Sequence, residues 1–572
     1  MDIVSSKKPP FRLCTKPPNR VRREQFKLFG PHCLDSYKLG HADQYTPGTE
    51  FIFSNFTARS SKYLNLPEKW DDNKVVQYGV SATLKEIVAI WDESFFTQPL
   101  EHCLARYQLR VPAFNGAEKP EDVSVERLTA LHNLGYLPIR VKAIKEGRRV
   151  NIGVPLFTVV NTHADFGWIT NSLETHLSNE SWKGIAVATV AHCYRQILED
   201  YAEKTGAPKD FVQWQGHCFA DRGMSGMMDA AKNCSPHSVS FYGTDSVSAF
   251  DFLDFFYKGK ETFLGGSVNA TEHSVMCLDG EDLEFETIKR IISEVHDTGV
   301  VSFVADSWDF WQVITDFMPR LRDVIVARKF NSIGLSKVVV RPDSGDPADI
   351  ICGTVKTIKS LDYAGMVDMF GIPPYEGEMQ VEHKGKYYTL IPGDEPIFIE
   401  FKPTPEQKGA IACLYEIFGG STTDKGYKML WERVGLIYGD SITLARAEDI
   451  LSRLMDKGFA SSNVVLGIGS YTYQYLTRDS IGAAMKATYG VVNGVGHEMV
   501  KNPKTDSGVK KSAKGLPMVT REEKGDYHLQ DQTDWAGEEK GELQLILEDG
   551  NFYNETSIAE IREELWPTAV AA

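Results

Sequence analysis

Short apolar runs and amphipathic stretches take turns along the middle of the chain. Residues 300–304 are largely apolar and β-branched and close at Asp306, and residues 308–318 then carry apolar positions at helical spacing. Residues 337–340 form another run, ending in Arg341-Pro342-Asp343-Ser344-Gly345-Asp346-Pro347. Pro347 suits a first helical turn, so a helix is predicted over 348–361. Residues 434–438 end in Gly439-Asp440, and Leu444, Ala447, Ile450, Leu451 and Leu454 then fall on one helical face. Residues 463–466 end in Gly467-Ile468-Gly469-Ser470. Strand, loop and helix in this repeated order predict parallel strands joined by crossover helices. Strands that are apolar on both faces predict a sheet covered on both sides. The expected class is α/β, with a barrel whose strand C-terminal ends carry the chemistry, and the polar clusters fall at those ends.

Other stretches break this rhythm. Residues 362–430 hold Pro373, Pro374, Pro392, Pro403 and Pro405 and strand-like pieces at 386–391 and 396–401, which predicts an inserted β-rich excursion. Beyond Gly496, Lys501, Lys504, Lys510, Lys511 and Lys514 lie among glycines and predict a loop. The first 30 residues are basic and proline-containing and lack the apolar core of a secretory signal, so a mobile tail is expected there. No apolar run approaches the length of a membrane span. The 572 residues are 42 % hydrophobic and 24 % charged, a globular balance large enough for more than one domain. A net charge of -16 disfavours nucleic acid or an anionic membrane as partner, so an anionic ligand must meet a local basic cluster. Nine dispersed cysteines predict reduced thiols and a cytoplasmic location.

Several strand ends hold candidate chemistry. Arg341 offers a rigid fork suited to phosphate, and Asp343 can hold a ribose hydroxyl or a metal ion; a salt-bridged strand end with a helix cap is the plainer alternative. His273 follows small residues and Glu272, although a lone histidine is more often structural. Arg222 is flanked by glycine and serine, which lets backbone approach an anion. Asp245 in Gly243-Thr244-Asp245-Ser246 sits at a strand end, where it could equally cap a helix. Gly467-Ile468-Gly469 lacks the third glycine of a dinucleotide fingerprint, and no phosphate-binding loop or His-Glu-x-x-His zinc pair occurs.

Taken in order, Leu34-Asp35-Ser36-Tyr37-Lys38, Gly243-Thr244-Asp245, Ala270-Thr271-Glu272-His273-Ser274, Asp306-Ser307, Arg341-Pro342-Asp343-Ser344-Gly345, Gly439-Asp440 and Thr477-Arg478-Asp479 resemble the nicotinamide phosphoribosyltransferases, from about residue 33 to 520 and closer to their microbial and viral branch. The resemblance implies an irregular α/β barrel of the type II phosphoribosyltransferase kind, with a second α+β domain built from both chain ends. The expected division is a tail at 1–30, the first part of the α+β domain at 31–175, the barrel at 176–480 with an insertion at about 362–430, and the second part at 481–572. It also implies a homodimer with the site between subunits. The reaction would form nicotinamide mononucleotide and pyrophosphate from nicotinamide and phosphoribosyl pyrophosphate, with Mg²⁺ and with ATP as a coupling substrate.

Roles carried over position by position remain expectations. Phe219 and, from the partner subunit, Tyr37 would sandwich the pyridine ring. Asp245 would accept the carboxamide N–H, which attracts nicotinamide and repels nicotinate. Catalytic roles fall on His273, Asp306, Arg341 and Asp343, with Gly439 and Asp440 beside the ribose or metal. Arg222, Arg59, Arg478, Lys486 and Lys501 would hold phosphate and pyrophosphate, Gly469 and Ser470 the 5′-phosphate, and Ser267 and Ser302 join the substrate-binding set. His273 would take a phosphoryl group from ATP. Mg²⁺ would be carried mainly by the substrate pyrophosphate, with Asp343 as the candidate protein contact. Chemistry would then be positioning plus electrostatics on an oxocarbenium-like ribose, without a protein nucleophile on the sugar. Departures from the family pattern are Cys218 where an Asp is usual, Ala220-Asp221 before Arg222, and Ser470 within a glycine run. The competing readings are nicotinate phosphoribosyltransferase, which Asp245 opposes, and a silent sensor of phosphoribosyl pyrophosphate or the mononucleotide, which the intact acidic and basic set opposes.

Overall fold

The computed structural model describes residues 27–371, 377–439, 441–502, 512–523 and 525–567. Asp440, most of the expected basic tail and the centre of the lysine-rich loop lie outside the described residues. At the described start, Phe29 is 2 % exposed and packs in the main core, so the chain is anchored from there on.

A seven-stranded parallel sheet forms the centre of the molecule. Its strands, in chain order, are β1 (Gly216–Phe219), β2 (Gly243–Thr244), β3 (Asn269–Ala270), β4 (Gly299–Val304), β5 (Ser336–Arg341), β6 (Val434–Tyr438) and β7 (Val464–Gly469). Apart from β2 and β3, each pairs with the next in sequence, and β7 returns to β1. The open edge between β2 and β3 is closed by backbone bonds: Gly266 N donates to Tyr242 O at 2.8 Å and Thr244 N to Gly266 O at 3.1 Å. The result is an irregular parallel barrel with all strand C-terminal ends at one rim. Val301, Phe303, Val338, Val340, Leu436, Leu466 and Ile468 are buried, which explains why these strands read as apolar runs.

The crossover helices start as their caps dictate. Asp346 accepts from Ala348 N and Asp349 N, with Pro347 in the first turn, and Thr443 accepts from Arg446 N at the head of the helix Leu444–Asp456. The helix expected over 348–361 stops at Cys352. Gly353 takes φ +88°, and a Cβ there would strike the backbone at Gln407 and Lys408, so the chain turns out into the short strand Lys356–Thr357. The helical segment expected at 308–318 runs as Phe310–Gln312, a wider turn at Val313–Phe317 and Met318–Arg320.

The β-rich excursion is a four-stranded sheet of Lys356–Thr357, Met379–His383, Lys386–Ile391 and Ile397–Phe401 with its own small core at Ile358, Met366, Val381 and Leu390. It leaves after the helix Pro347–Cys352, which runs back from the rim, so its root is at the opposite end of the barrel from the strand C-terminal ends. Lys457, just past the helix Leu444–Asp456, donates to Lys408 O at 3.1 Å at that same far end.

A second sheet is antiparallel among its paired strands and draws on both halves of the chain, in the order Val495–Glu498, Ala484–Val492, Thr49–Thr57, Pro155–Asn161, Ile139–Ala143, Gln544–Glu548 and Asn551–Phe552. Between the sheets runs the 37-residue helix Ile169–Thr205, about 55 Å long at the usual rise. It packs on the antiparallel sheet and reaches the barrel through Tyr194, whose hydroxyl donates to Ile442 O at 2.7 Å. No helix among the described residues is long and apolar enough to cross a membrane.

Candidate active site

Parallel strands deliver Phe219, Asp245, His273, Asp306, Arg341, Gly439 and Gly469 to one rim, because each lies at, or within three residues of, a strand's C-terminal end. On one side of the mouth, Asp245 Oδ1 lies 2.9 Å from His217 Nε2 and accepts from Ser267 Oγ at 2.5 Å. Burial pushes the Asp245 carboxyl up, but the His217 and Ser267 hydrogen bonds and the positive charge of Arg341 outweigh it and hold the group below its ordinary value. Asp245 is therefore an anion at neutral pH. Phe219 stands beside it, its ring 4.7 Å from that of His217. A Cβ at Gly467 would lie 2.6 Å from Phe219 Cδ2, so glycine at 467 is what lets the phenyl ring lie against β7.

Below these groups His237 links β2 to the turn after β7. Its Nε2 is 3.0 Å from Gly243 O and its Nδ1 2.7 Å from Tyr473 OH. Burial first, and the nearby His217 second, push His237 down to about 3, so it is a neutral structural bridge. Cys218, the departure in β1, is fully buried with Sγ 3.8 Å from Ser246 Oγ, on the face of the strand opposite His217 and Phe219, and does not face the mouth.

The other side of the mouth is a chain of charged groups. Arg341 Nη2 donates to Thr271 O at 2.8 Å, and its Nε lies 4.0 Å from Asp343 Oδ1. Asp343 N donates to Asp306 Oδ2 at 3.1 Å, and Asp306 Oδ1 lies 3.5 Å from His273 Nε2. Asp306 Oδ1, Arg341 Nε, Ser302 Oγ and Ser307 Oγ are buried without a hydrogen-bond partner, an accumulation that is costly in a structural core and expected where a ligand completes the bonding. The His273 side chain is half exposed above this chain. A Cβ at Gly439 would strike Asp343 Oδ1, which places the end of β6 directly against that carboxylate.

Arg222 and Ser470 meet at a third point of the rim, where Gly223 packs so closely on Ser470 Oγ that a Cβ would not fit. Arg222 is exposed and forms no ion pair among the described residues. Its neighbour Asp221 turns aside, with Oδ1 3.5 Å from Ser248 Oγ, so the acid introduced there does not neutralise it.

The remaining expected anion-binding residues form a separate cluster on the antiparallel sheet. Lys486 Nζ lies 3.9 Å from Glu174 Oε1, and Lys38 Nζ lies 3.2 Å from Glu174 Oε2. Burial pushes the Lys486 ammonium down; Glu174 opposes this, while Arg59, Lys501 and Lys38 add to it. Arg59 donates from Nε to Gly482 O at 2.9 Å, and Lys501 N donates to Ser512 Oγ at 2.9 Å. Arg478 is exposed beside Asp479. Tyr37 is 62 % exposed, with its ring 5.4 Å from His41 and no ring contact to Phe219 among the described residues. A single chain thus holds one aromatic plate and the carboxylates in one place, and the second aromatic plate with most of the cations in another.

Two residues were not singled out by the sequence. His217 occupies the alternate position before Phe219 on β1, and only the strand register brings it to Asp245. Glu284 is 2 % exposed with Oε1 unpartnered, and burial followed by Glu281, Asp309 and Asp306 pushes its carboxyl up to about 7.

Among the described residues, no cluster of three or more His, Cys, Asp or Glu side chains is arranged to hold a metal ion. The Asp306 carboxylate lies against the backbone N–H of Asp343, and Asp306 Oδ1, without a hydrogen-bond partner, fits a hard cation that keeps most of its shell as water and phosphate oxygens.

The chain is similar to known proteins over most of its length. A model of the nicotinate phosphoribosyltransferase (NAPRTase) family matches residues 214–540. A nicotinamide phosphoribosyltransferase of Acinetobacter baylyi is 45 % identical over 541 residues, covering 94 % of this chain and 97 % of that protein. Proteins of the same name from Mycoplasma pneumoniae (29 % identical, 82 % and 92 % covered) and Xanthomonas campestris pv. campestris (27 %, 92 % and 96 %) are also similar.

Proposed function

The chain belongs to the nicotinate phosphoribosyltransferase (NAPRTase) family, and we propose that within it this enzyme forms nicotinamide mononucleotide and pyrophosphate from nicotinamide and phosphoribosyl pyrophosphate. The observation that carries the choice of nicotinamide is Asp245: an ionised carboxylate with Oδ1 already occupied by His217 and Ser267. Such a group accepts an amide N–H and repels a second carboxylate, so it favours nicotinamide over nicotinate. Phe219 supplies a flat face for the electron-poor ring. The unpartnered Nε of Arg341 and the exposed Arg222 supply positive charge for diphosphate and phosphate.

In this reading the ring nitrogen of nicotinamide attacks ribose C1 while the bond from C1 to the diphosphate oxygen breaks, and the electron pair leaves on diphosphate. Asp245 and Phe219 orient the nucleophile, Arg341 holds the departing oxygens, and Asp343 lies on the ribose side of the mouth. Asp306 and Asp343 would hold Mg²⁺ together with the substrate phosphates; the ion supplies neutralisation of the negative charge that builds on the leaving group. The cations around Lys486 serve a second subunit's site, with Tyr37 closing over that subunit's Phe219 in a homodimer. His273 takes the γ-phosphoryl group of ATP, forming an N–P bond as ADP leaves, and hydrolysis of that bond drives mononucleotide formation.

The test is direct. Mononucleotide formation is measured with nicotinamide and with nicotinate, with and without ATP, for the wild type, Asp245→Asn and His273→Ala. The wild type should prefer nicotinamide, Asp245→Asn should lose most of that preference, and His273→Ala should lose stimulation by ATP. A wild type that prefers nicotinate reverses the substrate assignment, and equal ATP stimulation in His273→Ala removes the phosphohistidine.

A further inference from the structure

The imidazole of His217 touches both parts of the nicotinamide seat. Its Nε2 lies 2.9 Å from Asp245 Oδ1, and its ring is 4.7 Å from the Phe219 ring at an interplanar angle of 35°. His217 is 8 % exposed, whereas the Asp245 side chain is 40 % exposed. A held ring is thus bonded to a carboxylate that opens on the mouth. The ring sits opposite Gly243 in the strand register, where a Cβ would lie 2.7 Å from His217 Nδ1, so glycine at 243 is what admits the imidazole there. Oδ1 of Asp245 also takes the Ser267 hydroxyl, and Ser267 Oγ is itself 3.5 Å from His217 Nε2. Both donors converge on one oxygen, and among the described residues Oδ2 accepts no hydrogen bond.

This asymmetry has a chemical consequence. A carboxylate free to rotate about its Cβ–Cγ bond offers either oxygen at many angles and discriminates weakly between ligands. With Oδ1 pinned, Oδ2 meets a ligand at a fixed place relative to the aromatic plate. A carboxamide N–H stacked on Phe219 can then donate to Oδ2, whereas a carboxylate in the same place sets two anionic oxygens against each other.

We propose that His217 is a specificity-determining positioning residue: by holding Oδ1 of Asp245 against the Phe219 plate it makes the site choose a pyridine carboxamide over a pyridine carboxylate. The proposal rests on the reading of Asp245 as the amide acceptor. It does not require His217 to touch substrate, and it predicts an effect on the ratio between two substrates that a merely structural role would not produce.

The experiment is steady-state kinetics of the full-length enzyme with nicotinamide and nicotinate at saturating phosphoribosyl pyrophosphate and Mg²⁺, for wild type, His217→Leu, His217→Asn and His217→Gln. In His217→Leu, KM for nicotinamide should rise and the nicotinamide-to-nicotinate ratio of kcat/KM should fall about tenfold or more, the scale of a lost hydrogen bond to a charged group. His217→Gln places an amide nitrogen near the position of Nε2 and should recover most of the ratio. His217→Asn falls short of Oδ1 and should behave like the leucine variant; being small and polar, it carries the test where the leucine variant does not fold. A wild type that prefers nicotinamide, with variants that lose kcat on both substrates and keep the ratio, overturns the role of His217 and leaves Asp245 standing. A wild type that prefers nicotinate overturns the underlying function.

Discussion

The barrel mouth and the cationic cluster on the antiparallel sheet are built in opposite ways. In the mouth, each functional group stands at or just after the end of its own strand, and parallel pairing gathers seven such ends with no long-range folding decision beyond closure of the barrel. Its polar atoms are under-bonded: Arg341 Nε, Asp306 Oδ1, Ser302 Oγ and Ser307 Oγ are buried without partners. In the cluster, Lys38, Arg59, Glu174, Lys486 and Lys501 come from distant segments and meet because the strand Thr49–Thr57 pairs with Ala484–Val492. Its charges are partly satisfied already, since Glu174 lies against both Lys38 and Lys486. The mouth keeps bonding capacity to spare, while the charges of the cluster are already paired in part. Removing a group from the first should therefore cost far more activity than removing one from the second.

The largest effect is expected at Arg341. Arg341→Ala removes a guanidinium whose Nε has no hydrogen-bond partner and which is fixed by Thr271 O. Pyrophosphate release at saturating substrates should fall about 10²- to 10³-fold, the scale of losing one preorganised donor to a developing negative charge. A loss below tenfold would mean that Arg341 is a structural strand end. Lys486→Ala should be milder and of a different kind. On the proposal that the lysine meets an anion and has no part in the pyridine seat, KM for phosphoribosyl pyrophosphate should rise about tenfold with KM for nicotinamide little changed. Equal rises in both constants would contradict the division into two regions.

This contrast also explains what could be read from the sequence. The runs at 300–304, 337–340, 434–438 and 463–466 are β4 to β7 because a doubly covered parallel strand shows itself locally, as an apolar stretch with polar residues after it. Arg341 and Gly439 were legible for the same reason. β2 and β3 are two residues long and gave no run to read. The predicted helix over 348–361 failed at Gly353, where a tertiary contact with residues 407 and 408 decides the backbone and no local preference does. His217 was passed over because its partner Asp245 is 28 residues away and only the parallel register of β1 and β2 brings them together. Lys486 and Arg59 entered by family resemblance alone, since nothing in their local sequence marks them as neighbours.

Glu284 gives the smallest expected effect and separates a ligand-poised region from one that is merely strained. It is buried beneath the mouth with an unpartnered oxygen, and burial, Glu281, Asp309 and Asp306 together raise its carboxyl from 4.5 to about 7. A folded-state value above the unfolded one means that the protonated form is favoured by folding. The stabilisation is complete below pH 4.5 and is lost as pH rises toward 7, when the fold must carry an added negative charge among three others. Glu284→Gln keeps the shape and removes the charge. Its melting temperature should exceed that of the wild type by about 1–3 °C at pH 8, and the two should coincide at pH 4.5. Coincidence at pH 8 as well would show that Glu284 is not strained at all. If the gain at pH 8 shrinks when diphosphate and Mg²⁺ are added to the wild type, cations in the mouth relieve the same repulsion, and the acidic side of the rim is then built to be completed by its substrate.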